Sequence, residues 1–285
     1  MRKLMIGMAI SSIALVSAPV LAQSTIGGDV NIEVSAHNKD AKTKAENNTA
    51  ASTGGLALRY SHIKGKANIN VVSHNQNAVT FGGEGSAAST GGVALNRSRI
   101  KNHAKISIFS VNTGAVIEQN AGDDAAASVG GVAATESTVQ NRAKIKVLSE
   151  NQNSAVRSER ESAASVGGVA LRTAWINDKA SVQISSVNKG ARAIATNVSA
   201  ATTGGLAMLP GASLNGNASL KIKSENDSAT TLASPNGVAS TGGVALGAFT
   251  SIKGNANIIV NSTNDRALTT ASHGSVADTG GVSMQ

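Results

Sequence analysis

The chain has 285 residues, of which 41% are hydrophobic, 2% aromatic and 15% charged, with no cysteine and a formal net charge of +8. Much of the hydrophobic share is alanine, so the bulky side chains that build an enzyme core of this size are scarce. Disorder is excluded too, because charge is low and short apolar alternations recur, and the absence of cysteine excludes disulfides, thiolate metal sites, a lipoprotein anchor and cysteine nucleophiles.

Residues 1–22 read as a secretory signal. Arg2 and Lys3 supply the positive start, and an apolar stretch runs over 4–21. Val20 and Ala22 stand at the minus-three and minus-one positions for cleavage before Gln23. Ser11, Ser12, Ser17 and Pro19 interrupt the run and argue against a transmembrane helix, and no later segment is apolar enough to span a bilayer. Cleavage leaves 23 basic and 17 acidic residues, net +6, scattered along residues 23–285. Such charges predict a solvated surface first and a polyanion-binding surface second.

Residues 23–285 form one repeat domain. A glycine pair marks the period: Gly54-Gly55, Gly91-Gly92, Gly130-Gly131, Gly167-Gly168, Gly204-Gly205, Gly242-Gly243 and Gly280-Gly281. Successive spacings are 37, 39, 37, 37, 38 and 38 residues. A second marker, Asn38, Asn75, Asn112, Asn151, Asn188, Asn226 and Asn264, is spaced 37, 37, 39, 37, 38 and 38. About seven imperfect repeats follow, and a fixed period of this size means a solenoid, an array or a propeller.

Each asparagine closes an alternating segment. In the second repeat one face reads Ala67, Ile69, Val71, Ser73, Asn75; in the fourth, Ala143, Ile145, Val147, Ser149, Asn151. Across all seven copies that face has 35 positions, none charged, whereas the 28 interleaved positions carry eight charges. Period two with one clean face predicts a β-strand with an inside and an outside. Val-Ala-Leu after the glycine pair and Ser-x-Ile, as in Ser98-Arg99-Ile100, predict further short strands. Small-residue runs such as Ala87-Ala88-Ser89 lead back to the glycines, and Gly and Asn mark corners where positive φ is tolerated.

Helical arrays fail because Gly, Asn, Ser and Thr saturate every window. Blade propellers lean on aromatic and Trp-Asp signals that the chain lacks. An all-β solenoid remains, with one coil per repeat or two half-length coils. Equivalent residues would stack about 4.8 Å apart, so the Asn and Ser positions predict internal ladders in which each amide bonds its copies.

The ends carry a functional expectation. The first repeat opens at Gly27-Gly28 without the Val-Ala-Leu half, and the chain closes at Gly280-Gly281-Val282 inside that half. With no helix, proline cluster or charge block over either end, both ends are expected to be uncapped unless the short 23–26 arm or a partner covers one. Unpaired strand edges template another chain, and a head-to-tail contact that does not close grows a filament.

The export signal, the lack of cysteine, the Gly/Ala/Asn/Ser-rich composition and the imperfect repeats together resemble bacterial secreted amyloid-type fibre subunits of the curli and Fap types. Curli repeats are shorter and carry Gln and aromatics; Fap-type repeats are similar in length, with a Cys-x-x-Cys that this chain lacks. The resemblance implies a structural protein of the extracellular matrix and brings no catalytic or ligand residue.

Other candidate sites are weak. His37 and His74 share a repeat position on the outer face, where two stacked imidazoles bind a metal at best weakly. Asp123-Asp124 and Glu159/Glu161 are the densest acidic spots, but they lie in variable turns rather than across the rigid cleft that glycosidase chemistry needs. Gly82-Gly83-Glu84-Gly85 lacks the aspartate of a calcium repeat. No nucleophile elbow or phosphate loop is present, and Tyr60, Phe81, Phe109, Trp175 and Phe249 form no stacking series.

The chain is therefore read as a non-enzymatic, cofactor-free, secreted and surface-associated subunit that stacks on itself into fibres of a surface layer or biofilm matrix. A nucleator or secretion protein is its expected helper. The alternative is a monomeric adhesin whose outer faces hold a polyanion or polysaccharide. A β-helix lyase or hydrolase is disfavoured, because a near-uniform repeat leaves no room for loop insertions and a charged cleft.

Overall fold

The computed structural model describes residues 25–119, 124–209 and 211–284. The signal segment 1–22 and Asp123 lie outside them. Every element among the described residues is a strand, and each repeat makes one coil of five. The second coil shows the plan: His62–Ile63, Ala67–Gln76, Val79–Gly82, Ala87–Thr90 and Val93–Asn96. Seven coils stack into five parallel seven-stranded sheets, here numbered first to fifth in the order the chain meets them. Register is in step with the repeat: Ala104 pairs with Ala67 and Ala143, and Asn112 with Asn75 and Asn151. The structure thus chooses one coil per repeat over two half-length coils, and it is a solenoid rather than a propeller.

The long second strand alternates as its sequence does. Ala67, Ile69, Val71, Ser73 and Asn75 are buried while the residues between them are exposed. The first half of this face packs with Ile63 and Ile100 of the first sheet and Val93 and Leu95 of the fifth into the main hydrophobic core. Each such isoleucine contributes about 1.5–3 kcal/mol by burial.

The fourth and fifth strands hold a feature that alternation alone does not reveal. Ala87–Thr90 and Val93–Asn96 are buried on both faces. Ala88 faces the third sheet with Ala115 and Ile117, whereas Ala87 faces Ala94 of the fifth. The runs read from sequence as lead-ins to the glycines are therefore strands, and they form interior walls. A strand covered on both sides has no polar face, so its sequence loses period two. Alanine and serine on these walls let a chain with few large residues stay close-packed.

The glycine pair is the sharp bend between the two walls, and its members do different work. Gly91 has φ 62°, and a Cβ there would lie 2.5 Å from Ser73 Cβ and 2.6 Å from Asn75 Oδ1. Gly55 has an ordinary φ, but a Cβ would fall 2.7 Å from the carbonyl oxygen of Gly92 in the next coil. The first glycine allows the bend to touch the long strand, and the second allows bends to stack.

Three other features differ from the sequence reading. Residues 23 and 24 of the 23–26 arm lie outside the described residues, and Thr25 and Ile26 are the first strand of the first coil, paired with His62 and Ile63. Asp124 and Glu161 lie at turns, as expected, but are held there by ion pairs. Asp124 pairs with Arg97 at 2.7 Å and with Arg172, and Arg172 also pairs with Glu161. Arg172 and Arg59 are buried beneath these corners, where Asn96 and Thr135 stand in other coils.

Candidate functional site

The buried asparagines form a continuous ladder. Asn38 Nδ2 donates to Asn75 Oδ1 at 2.7 Å, and the pattern repeats from Asn75 to Asn112, Asn112 to Asn151 and Asn151 to Asn188, each at 2.8 Å. Asn188 to Asn226 and Asn226 to Asn264 continue it at 2.7 Å. From Asn75 onward each Nδ2 also donates to the serine two residues earlier, at 3.1 Å for Ser73. That serine donates to the carbonyl of the first glycine, 2.7 Å for Ser73 to Gly91. Long strand, ladder and bend are tied together in each coil, and the inward amides are satisfied as buried polar groups must be.

The ladder has a direction, since every amide donates toward the later coil. Among the described residues nothing donates to Asn38 Oδ1, and Asn264 Nδ2 reaches only Ser262 Oγ at 3.4 Å. One end of the rod offers an acceptor and the other a donor, in the same column.

Both ends stand open among the described residues. Val30, Ile32 and Val34 are half-buried where their counterparts in the middle coils are fully buried. On the last coil Leu268 is 56% and Met284 64% exposed. The two faces match column by column. Ala256, Ile258, Val260, Ser262 and Asn264 stand over the places that Val30, Ile32, Val34, Ala36 and Asn38 hold in the first coil.

A second column repeats the match. Thr43 bonds Thr53 at 2.8 Å in the first coil, and Thr269 bonds Thr279 at 2.8 Å in the last. In the third and fourth coils these positions are Ile117 with Val129 and Val156 with Val166. Charges also complement. Lys39 and Asp40 on the first coil share columns with Asp265 and Arg266 on the last.

One inward position breaks the pattern. The fourth strand carries Ser52, Ser89, Ser128, Ser165, Thr202 and Ser240 in one column, and then Asp278. Asp278 is 5% exposed and both its carboxylate oxygens accept hydrogen bonds from the Gly281 amide, at 3.2 and 3.1 Å. Burial outweighs those bonds and pushes its carboxyl up to about 6.

The remaining sequence candidates fall elsewhere. His37 and His74 stack with ring centroids 4.8 Å apart on the outer face of the long sheet. No group of three potential metal ligands occurs among the described residues. Trp175 and Phe249, 74 residues apart in sequence, come together beside one surface groove. Only the extra length of the corner at 209–212 could have hinted at it. No helix of the described residues is long and apolar enough to cross a membrane. No family model, curated protein or solved structure matches the chain.

Proposed function

We propose that the chain is a secreted structural subunit that adds head to tail into extracellular β-rich fibres of a surface layer or biofilm matrix. The observation that carries this reading is the self-complementarity of the two end coils. A donor-ended asparagine ladder meets an acceptor-ended one, threonine meets threonine, and Asp265 and Arg266 meet Lys39 and Asp40. Head-to-head contact would set Oδ1 against Oδ1, and tail-to-tail Nδ2 against Nδ2, so only head-to-tail stacking continues the column. Such a contact is heterologous and open-ended. The 10-residue long strand of the last coil would regain a full parallel partner, each backbone bond contributing about 0.5–1.5 kcal/mol.

The signal over residues 1–22 supports export, with cleavage before Gln23. The test is electron microscopy and fibre diffraction of concentrated mature protein. The expected result is unbranched fibres with a meridional spacing of about 4.7–4.8 Å. A chain that stays strictly monomeric at high concentration sinks the reading.

A second reading, a polyanion-binding rod, is favoured by one feature. Lys105 and Lys144 are paired neighbours on the outer long sheet, with Lys146, Lys221 and Lys223 on the same face. Salt-sensitive retention of non-polymerising protein on a polyanion resin would select it.

A further inference from the structure

We infer that the rod carries a lateral binding groove for a polysaccharide with acidic sugar units, formed where the fifth, sixth and seventh coils meet. Corners between the fifth and first strands span two residues in the early coils, as at 97–98, but four at 209–212 and 247–250. The lengthened corners open a groove of about 360 Å³, within the usual range of ligand sites of about 300–1,000 Å³.

Its two ends are aromatic. Trp175, the only tryptophan in the chain, is 44% exposed, and Phe249 is 88% exposed. Gly211 holds the neighbouring corner at φ 83° while Phe249 holds its own at φ 58°. Neither packing nor backbone conformation calls for phenylalanine there. In a chain with 2% aromatics, two exposed rings beside one depression are costly surface unless a ligand covers them.

The floor between the rings is polar and organised. Ser251 Oγ donates to Ser213 Oγ at 3.2 Å, Ser213 Oγ to Asn215 Oδ1 at 2.6 Å, and Asn215 Nδ2 to Asn177 Oδ1 at 2.8 Å. Lys253 stands at the same wall and forms no ion pair among the described residues.

Flat rings that take the C–H face of a pyranose, with amides and hydroxyls that take its hydroxyl edge, describe a sugar site. Among the described residues no carboxylate lines the groove, which disfavours a cation or a basic peptide there. One ammonium is too little for a nucleic-acid backbone, but it matches one uronate carboxylate. Trp175 lies two coils before Lys253, a rise of about 10 Å, which accommodates a disaccharide unit.

The single tryptophan makes the test direct. Soluble mature protein is titrated with a hexamer of galacturonic acid and, in parallel, with cellohexaose, while tryptophan emission is followed. The expected result is a saturable blue shift with the hexauronate, weakened about tenfold or more in Phe249→Ala. In Lys253→Met the hexauronate should bind no better than cellohexaose. Unmoved emission with both sugars overturns the groove, as does a Phe249→Ala protein that binds like the parent. Equal response of the parent to both hexamers overturns the assignment to an acidic sugar. Fibre growth of each variant is scored in parallel, so loss of assembly and loss of sugar binding are read separately.

Discussion

Asp278 offers the sharpest test of how the end coil works. Its carboxyl is pushed up to about 6 from an ordinary value of 3.8, chiefly by burial. The folded state therefore binds a proton more readily than the unfolded one, and the ionised group destabilises the last coil. The penalty is absent below about pH 4, grows between pH 4 and 6, and is complete above pH 6. At 1.36 kcal/mol per unit it amounts to about 3 kcal/mol at pH 7, or roughly a hundredfold in the opening equilibrium. Asp278→Asn removes the charge and keeps the shape. Amide exchange in the last long strand, Ala256–Asp265, should then slow roughly a hundredfold at pH 7 and hardly change at pH 4. Comparison at one pH cancels the intrinsic exchange rate. A next copy stacked on this coil would bury the carboxylate further. Seeded elongation should accordingly run faster at pH 5 than at pH 7 in the parent, with the gap closed in the variant. If Asp278→Asn leaves exchange at pH 7 within about threefold of the parent, or destabilises the coil, the reasoning fails.

Three further outcomes follow from the same geometry. Asn151→Ala strands the Asn112 donor and the Asn188 acceptor inside the rod, and urea unfolding should show a loss of about 2–4 kcal/mol. Asn264→Ala, at the open end, removes the acceptor of one buried amide, Asn226, and should cost the soluble chain about 1–2 kcal/mol, less than Asn151→Ala, while also slowing elongation, because the contact between copies loses its ladder donor. Gly167 has φ 63°, and a Cβ would sit 2.5 Å from Asn151 Oδ1; Gly167→Ala should cost about 2–4 kcal/mol by thermal unfolding, well beyond the usual glycine-to-alanine range. Lys39→Asp should slow seeded elongation at low salt, and Asp265→Lys in the same chain should restore it. Failure of rescue would place that column outside the contact between copies.

The sequence alone carried the number of repeats, the long alternating strand, the inward placement of the asparagines and the glycine bends. All of these are local patterns: one buried face produces period two, and a bend that touches its neighbours admits only glycine. The fourth strand escaped recognition because burial on both faces erases the alternation that marks a half-buried strand, whereas the fifth, buried in the same way, was legible from its Val-Ala-Leu run. The placement of Asp124 between Arg97 and Arg172 escaped because the partners lie 27 and 48 residues away. Their meeting depends on which coil stacks on which. Tertiary structure alone decided that one repeat makes one coil, that the ladder donates in a single direction, and that lengthened corners set Trp175 beside Phe249. Each is a relation between coils, fixed by the parallel register and the rise of one strand spacing per turn, which no single repeat contains.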